Sequence, residues 1–271
     1  MAKFDLHTHH DRCGHADGVI EDYIRSAIEA GLTVIGISDH SPYFAHAEER
    51  PFPGIAMARG EFPNYVAQVL ELKERYKDKI DVLLGVESDY FPEHIERYRA
   101  EYAKYPFDYI IGSVHQTRGI SIFNRKRWKG LEDAVQTVEK RHYYELIRDS
   151  ANSGVFQVLG HIDAMKGYYP AFSDIRGAEA EIDEALKAVA ANDIALEINT
   201  SGKTKDVGGW YPSDEILERA LFFNADVTFG SDAHLPSRVG DEWEEVQARL
   251  KEIGFARWVY FKEKRKIAVP L

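Results

Sequence analysis

The sequence has one cysteine, Cys13, in 271 residues. An intramolecular disulfide is excluded, and a reducing cytoplasm is the expected setting. No apolar run approaches the ~18 residues of a membrane-spanning helix, so no membrane association is expected. The segment from Met1 to Asp5 has no apolar stretch of signal-peptide type. Positive charge is in deficit: 34 Lys and Arg against 45 Asp and Glu give a net charge of −11. That balance argues against nucleic-acid binding by phosphate neutralisation. A small anionic substrate remains compatible, because a bound metal can reverse the local field. Also absent are repeats of ~20–50 residues, a Gly-rich phosphate loop followed by Lys and Ser/Thr, and a Gly-x-Ser-x-Gly nucleophile elbow.

What is present is ample apolar and aromatic surface. With 14 Phe, 15 Tyr and 4 Trp, the chain can bury a core, which excludes disorder. Apolar runs at 3–6, 33–38, 81–86, 107–113, 155–160, 193–198 and 226–230 read as strands buried on both faces. A further run at 257–261 is a candidate eighth. Segments of helical period lie between them, at 19–30, 61–78, 92–104, 131–153, 178–191, 213–223 and 241–253. Gly31, Gly154, Gly254, Asn192 and Asn224 sit where a left-handed residue would end a helix, and Ser213 is a candidate N-cap. Strands alternating with helices predict a parallel sheet. So many βα units favour an α/β barrel, as a single domain over 1–271. Two longer loops, 41–60 and 116–130, follow the second and fourth strands.

Each run ends in polar residues. The first is followed by His7-Thr8-His9, the second by Asp39-His40, the third by Glu87, and the fourth by Ser113-Val114-His115. The fifth reaches His161-Ile162-Asp163, the sixth Glu197-Ile198-Asn199, and the seventh Ser231-Asp232-Ala233-His234. In a barrel these ends converge on the face that carries active sites. Residues i and i+2 of a strand share a face, so His7 can act with His9, and Asp232 with His234. The candidate metal ligands are His7, His9, His15, His40, Glu87, His115, His161, Asp232 and His234. Nine ligands exceed the needs of one ion and fit two or three. Imidazole and carboxylate suit Zn, Mn or Fe. Asp17 is an alternative to His15. Cys13 reads as a small buried residue, and His10, His46, His94 and His142 as surface residues.

This pattern resembles the polymerase-and-histidinol-phosphatase (PHP) family. The matching segments are Asp5-Leu6-His7-Thr8-His9 with Cys13-Gly14-His15-Ala16, Ser38-Asp39-His40, Gly112-Ser113-Val114-His115, Gly160-His161-Ile162-Asp163 and Gly230-Ser231-Asp232-Ala233-His234. Glu87 is similar to the family's bridging glutamate. The resemblance implies a distorted seven-stranded (β/α) barrel of PHP type and three divalent ions per chain. In the family's pattern His7, His9, Glu87 and Asp232 would hold one ion. Glu87, His115 and His161 would hold the second, and His15, His40 and His234 the third. The chain is most similar to the branch of stand-alone phosphatases that release L-histidinol from L-histidinol phosphate. Two segments depart from that branch, Ala164-Met165-Lys166-Gly167 and Gln116-Thr117-Arg118-Gly119. They leave room for another small phosphomonoester, such as a sugar phosphate.

The implied chemistry is in-line attack on phosphorus by a metal-bridging hydroxide. Asp232 and His234 are catalytic candidates. Arg118, Lys166 and Arg238 are candidate phosphate-binding cations, and Asp89 and Asp163 candidate partners for an amino or imidazole group. Competing readings are an amidohydrolase barrel, a nuclease or editing module using Arg125-Lys126-Arg127-Trp128-Lys129, and a non-catalytic metal binder. The ligand count and the Asp-x-His ending favour the phosphatase. Nothing in the sequence specifies an oligomeric state.

Overall fold

The computed structural model describes residues 2–271. The first five strands are β1 (Phe4–Asp5), β2 (Val34–Ile37), β3 (Asp81–Leu84), β4 (Glu87–Asp89) and β5 (Ile111–Ser113). A small hairpin follows, β6 (Gln116–Thr117) and β7 (Ile120–Ser121). Then come β8 (Val158–Leu159), β9 (Ala195–Asn199) and β10 (Asp226–Gly230), and a terminal hairpin of β11 (Arg257–Lys262) and β12 (Arg265–Pro270). The helices are α1 (Ile20–Glu29), α2 (Phe62–Tyr76), α3 (Ile95–Tyr102), α4 (Asp133–Asn152), α5 (Glu179–Ala191), α6 (Asp214–Phe222) and α7 (Trp243–Ile253). None is long and apolar enough to cross a membrane.

All ring strands pair in parallel. One sheet runs β1-β2-β3, the other β10-β9-β8-β5-β4. Backbone bonds join them at both seams. Leu6 N–H donates to Phe229 O at 3.1 Å and Thr8 bridges Ala233. On the other side His40 bridges Glu87, and Asp108 N–H donates to Leu84 O at 2.8 Å. β3 and β4 are two halves of one bent run, where a single strand was expected. The first half pairs with β2 and the second with β5. That bend brings Glu87 to the mouth of the ring. Every residue of β2 and of β9 is buried, as strands covered on both faces require.

The other end of the ring is closed by the terminal hairpin. The expected eighth strand, 257–261, is part of it and pairs antiparallel with β12 rather than joining the ring. Trp258 packs on Phe4 and Trp243 with ring centroids 5.0 and 4.6 Å apart. At the tip, Glu263 N–H and Lys264 N–H both donate to Asp108, at 2.9 and 2.8 Å. β12 escaped the sequence reading because the turn residues, Glu263 and Lys264, adopt φ of 51° and 60° without the Asn-Gly or Asp-Gly that announces such a turn. Two helix-end expectations also change. α5 ends at Asn192 with φ −93°, and the left-handed residue is Asp193 at φ 54°. Ser213 holds the N-cap position of α6, yet its hydroxyl makes no capping bond.

Inside the ring, Tyr109 donates its hydroxyl to Leu6 O and lies against Gly36 and Gly85. A Cβ on Gly36 would come 1.9 Å from the Tyr109 hydroxyl, and one on Gly85 2.4 Å from its ring. Gly36→Ala should therefore destabilise the fold by at least the ~1–3 kcal/mol of core overpacking. A urea-denaturation midpoint equal to the parent's would refute this account.

Candidate metal centre

The strand ends deliver the predicted ligands to one place. Four groups of ligand atoms each lie within 4.8 Å of one another: His7, His9 and Asp232; His7, Glu87 and His161; His40, Glu87 and His115; and His9, His40 and His234. His15 joins at the rim, its Nε2 2.9 Å from His234 Nε2. Asp17 reaches this region through its backbone N–H, which donates to His234 O at 3.0 Å.

Glu87 sits at the centre, 1% exposed. Its Oε1 lies 3.0 Å from His161 Nε2 and 3.3 Å from His115 Nε2. Its Oε2 lies 2.8 Å from His40 Nδ1, 3.5 Å from His7 Nε2 and 3.7 Å from His9 Nε2. The two oxygens thus face two sets of imidazoles, the geometry of a bridging carboxylate. Asp232 Oδ1 faces His9 Nε2 at 3.0 Å, while Oδ2 accepts from Ser201 Oγ at 2.9 Å.

The ligands are held from behind. His7 Nδ1 lies 2.7 Å from Glu197 Oε1, His9 Nδ1 3.2 Å from Asp39 Oδ1, and His115 Nδ1 3.0 Å from Asp89 Oδ1. His234 Nδ1 meets the backbone oxygen of Asp232 at 3.0 Å. Such partners fix ring orientation and leave Nε2 for a metal. The facing atoms, His7 Nε2, His9 Nε2 and Glu87 Oε2, are buried and lack a hydrogen-bond partner. Buried polar atoms are ordinarily paired, so these atoms fit a cation held between them.

Electrostatics divides the histidines. Burial alone would lower His7, but the carboxylates of Glu197, Asp232 and Glu87 raise it well above the usual imidazole range. His9, opposed by burial, is lifted by Asp232 and Asp39 to about 9. His115, likewise opposed by burial, is raised by Asp89 and Glu87. His15 falls to about 4 and His234 to about 3, mainly through burial and neighbouring imidazoles. Burial would raise Glu87, but the surrounding histidines hold it well below the usual carboxylate range.

A cavity of about 460 Å³ opens over the ligands, with Phe123, Tyr168, Tyr211, Leu235, Lys205 and Arg238 also in its wall. Of the predicted cations only Arg238 lines it, paired with Asp241 at 2.5 Å. Arg118 is turned away into an ion pair with Glu139 and lines a separate cavity with His46, His94 and His142. Lys166 is buried, 2.7 Å from Asp163 Oδ2 and behind the ring of Tyr211. Asp163 is committed to Lys166 and to the Ser213 N–H, at 2.9 Å. Asp89 is committed to His115 and to the Tyr43 hydroxyl, at 2.8 Å. Neither aspartate lines the cavity among the described residues, because each already balances a buried partner.

Sequence reasoning missed Lys205, which lines the cavity with no ion pair among the described residues. It also missed Glu197, inside β9, and Asp39, just past β2, as supports. Cys13 is buried as expected. His10, expected at the surface, is 1% exposed and stacks on Tyr65. The basic stretch at 125–129 is not a free patch. Arg127 binds Glu139 and Thr117, Trp128 is buried, and Arg125 pairs with Asp206 and covers the Tyr168 ring at 4.0 Å.

Metal ligation needs neutral imidazole, and the carboxylates around His7, His9 and His115 raise the proton affinity of those rings. Metal uptake at pH 7 should therefore release protons, and apparent affinity should rise with pH until His9 deprotonates near 9. Calorimetry in buffers of differing ionisation enthalpy measures this release; uptake without protons would contradict the assignment.

The PHP domain matches residues 5–201 of the chain. A Deinococcus radiodurans protein named "Probable histidinol-phosphatase" is 29% identical over 261 residues, covering 96% of this chain and 97% of that protein. The histidinol-phosphatase of Bacillus subtilis is 29% identical over 271 residues, covering 92% of this chain and 100% of that one. In structure, the chain superposes on the histidinol phosphate phosphatase of Lactococcus lactis, solved with zinc, L-histidinol and phosphate. That match has a TM-score of 0.82, 22% identity and 98% coverage of both chains. With its ligands in the family's order around a parallel ring, and a match across most of its length, the chain belongs to the PHP-domain family.

Proposed function

We propose that this protein is a metal-dependent phosphomonoesterase that hydrolyses L-histidinol phosphate to L-histidinol and phosphate, a step of histidine biosynthesis in the cytoplasm. The observation that carries the reading is Glu87, a buried carboxylate shared between two sets of imidazoles whose facing atoms lack partners. The full-length relatives named for this activity support it. His7, His9, Glu87 and Asp232 would hold one divalent ion; Glu87, His115 and His161 a second; and His15, His40 and His234 a third. Zinc, manganese and iron all suit this donor set. When bound, such ions supply Lewis acidity and make a water nucleophile available near neutral pH.

The chain's own residues do the rest. Lys205 and Arg238 in the cavity wall attract and orient the phosphate dianion, in the place first assigned to Arg118 and Lys166. Arg238 stays partly neutralised by Asp241, so Lys205 carries the larger share. Phe123 and Tyr168, 6.2 Å apart and nearly perpendicular, exclude water and bound a space suited to a flat imidazole. Asp232, steadied by Ser201, is placed to accept a proton from the attacking water.

The decisive experiment is phosphate release from L-histidinol phosphate by metal-reconstituted protein, beside a panel of sugar phosphates and a chelator control. Fast, chelator-sensitive release selective for histidinol phosphate is expected; a better sugar phosphate would move the reading to another phosphomonoester. His161→Ala or Asp232→Ala should lower turnover by more than the roughly 10–100-fold typical of outer-shell losses, with the fold intact by circular dichroism. Lys205→Ala should raise KM about tenfold or more, the worth of one charge-assisted hydrogen bond, whereas Arg118→Ala should leave it near the parent value. The reverse ranking would return the phosphate site to Arg118.

A further inference from the structure

Behind the ligands lies a carboxylate with an arrangement unlike its neighbours. Glu197, in the middle of β9, is 0% exposed. Its Oε1 lies 2.7 Å from His7 Nδ1. Its Oε2 accepts the backbone N–H of His161 at 3.0 Å and the Asn199 amide at 2.9 Å. The adjoining strand leaves room for it: a Cβ on Gly230 would fall 1.9 Å from Oε1. His161 has φ 26°, a conformation a non-glycine residue keeps only when its surroundings enforce it, and the bond to Glu197 is one such restraint.

The other supporting carboxylates do not span the centre. Asp89 contacts one ligand, His115, and Asp39 contacts His9 by its ring and His40 only by its backbone N–H, ligands of two proposed ions that share one side of Glu87. All three of those histidines except His115 lie on the Oε2 side of Glu87. Among the described residues Glu197 is the carboxylate that serves both sides, because His7 faces Glu87 Oε2 and His161 faces Oε1. Resting on the metal-centre reading above, we infer that Glu197 is a shared positioning residue: one carboxylate fixes a ligand in each of two metal subsites and couples their occupancy.

The isosteric change Glu197→Gln isolates this role. A carboxylate accepts on both oxygens; an amide has one oxygen and one donor. If the amide oxygen faces His7, the NH2 group opposes the His161 N–H and the Asn199 amide, donor against donor. If the NH2 group faces His7, it donates to Nδ1, forces the proton onto Nε2 and removes the lone pair a metal needs. Either way both subsites are disturbed: in the first case His161 is displaced together with the Asn199 amide, which donates to Asp232 Oδ2 at 3.3 Å, and in the second the new Nε2–H of His7 turns on the shared carboxylate of Glu87, 3.5 Å away.

The test is equilibrium metal titration against a chromogenic chelator, with cobalt(II) absorption reporting ligand geometry and the melting point of the metal-free protein reporting fold. In Glu197→Gln the subsites should weaken together, by about 10–100-fold, the usual cost of an outer-shell partner, with an altered cobalt spectrum. Asp89→Asn should weaken one class of site alone. Parent-like affinity in Glu197→Gln, or weakening of a single class, overturns the inference. A parent protein that takes up no metal overturns instead the reading on which it rests. If Glu197→Gln does not fold, long-range proton–nitrogen spectra of the metal-loaded parent decide. His7 must carry its proton on Nδ1, and an Nε2–H tautomer overturns the inference.

Discussion

The burial of Glu87 is the constraint on which the rest of this structure turns. A carboxylate removed from water costs several kcal/mol unless charges and hydrogen bonds replace its hydration. Here the replacements are imidazoles: His40, His7 and His9 around one oxygen, His115 and His161 around the other. Ser113 Oγ adds a hydrogen bond to Oε1 at 2.7 Å. The backbone is committed as well, since the Glu87 N–H is shared between the carbonyls of Ser38 and Asp39, at 2.8 and 3.2 Å. The bend between β3 and β4 is therefore the local geometry that carries a charge to the centre of the mouth.

That charge needs support at a distance. Of the five imidazoles turned toward Glu87, three, His7, His9 and His115, have their second nitrogen met by Glu197, Asp39 and Asp89. Glu197 and Asp39 are buried in turn and draw on backbone N–H groups, as Asp39 does with Cys13 and His40, while Asp89 draws on the Tyr43 hydroxyl. The polar interior is thus layered, and the layers keep the rings aimed where a cation can bind them. The opposite end has no such burden. There Trp258, Trp243 and Phe4 pack beneath the ring and the terminal hairpin seals it. The two ends divide the work as barrels do, stability at the strand starts and chemistry at the strand ends.

This division explains what the sequence made legible. The ligand positions follow from polar residues closing apolar runs, although His7, His9, Asp232 and His234 all lie past the last strand residues, Asp5 and Gly230, and Asp232 turns at φ 52° rather than alternating as in a strand. Residues one turn further on escape this pattern. Arg118 follows a ligand strand closely, yet the β6–β7 turn places it at φ 51° and aims it at Glu139. Lys166 sits in a short 3-10 turn that folds it under Tyr211. Lys205 lies forty-four residues past His161, at the end of another such turn, and only the folded chain brings it to the cavity. His10 reads as a loop residue because a side chain's burial against Tyr65, fifty-five positions away, leaves no local trace.

The charge distribution completes the argument. A chain with a net charge of −11 places Glu87 and Asp232 in the wall of one cavity, with Asp39 and Asp89 behind their imidazoles, a field that would repel a phosphate dianion. The raised proton affinity of His7, His9 and His115 offsets part of it, and divalent ions would bring greater charge to the same atoms. The cavity wall adds Lys205 and Arg238, with Arg125 stacked on Tyr168 above. Attraction for phosphate is thus concentrated at the mouth of a chain whose net charge is negative. Carboxylates that would hold divalent ions also make anion binding depend on those ions, so under the proposed function metal loading and substrate binding would be linked through Glu87 rather than independent properties of the site.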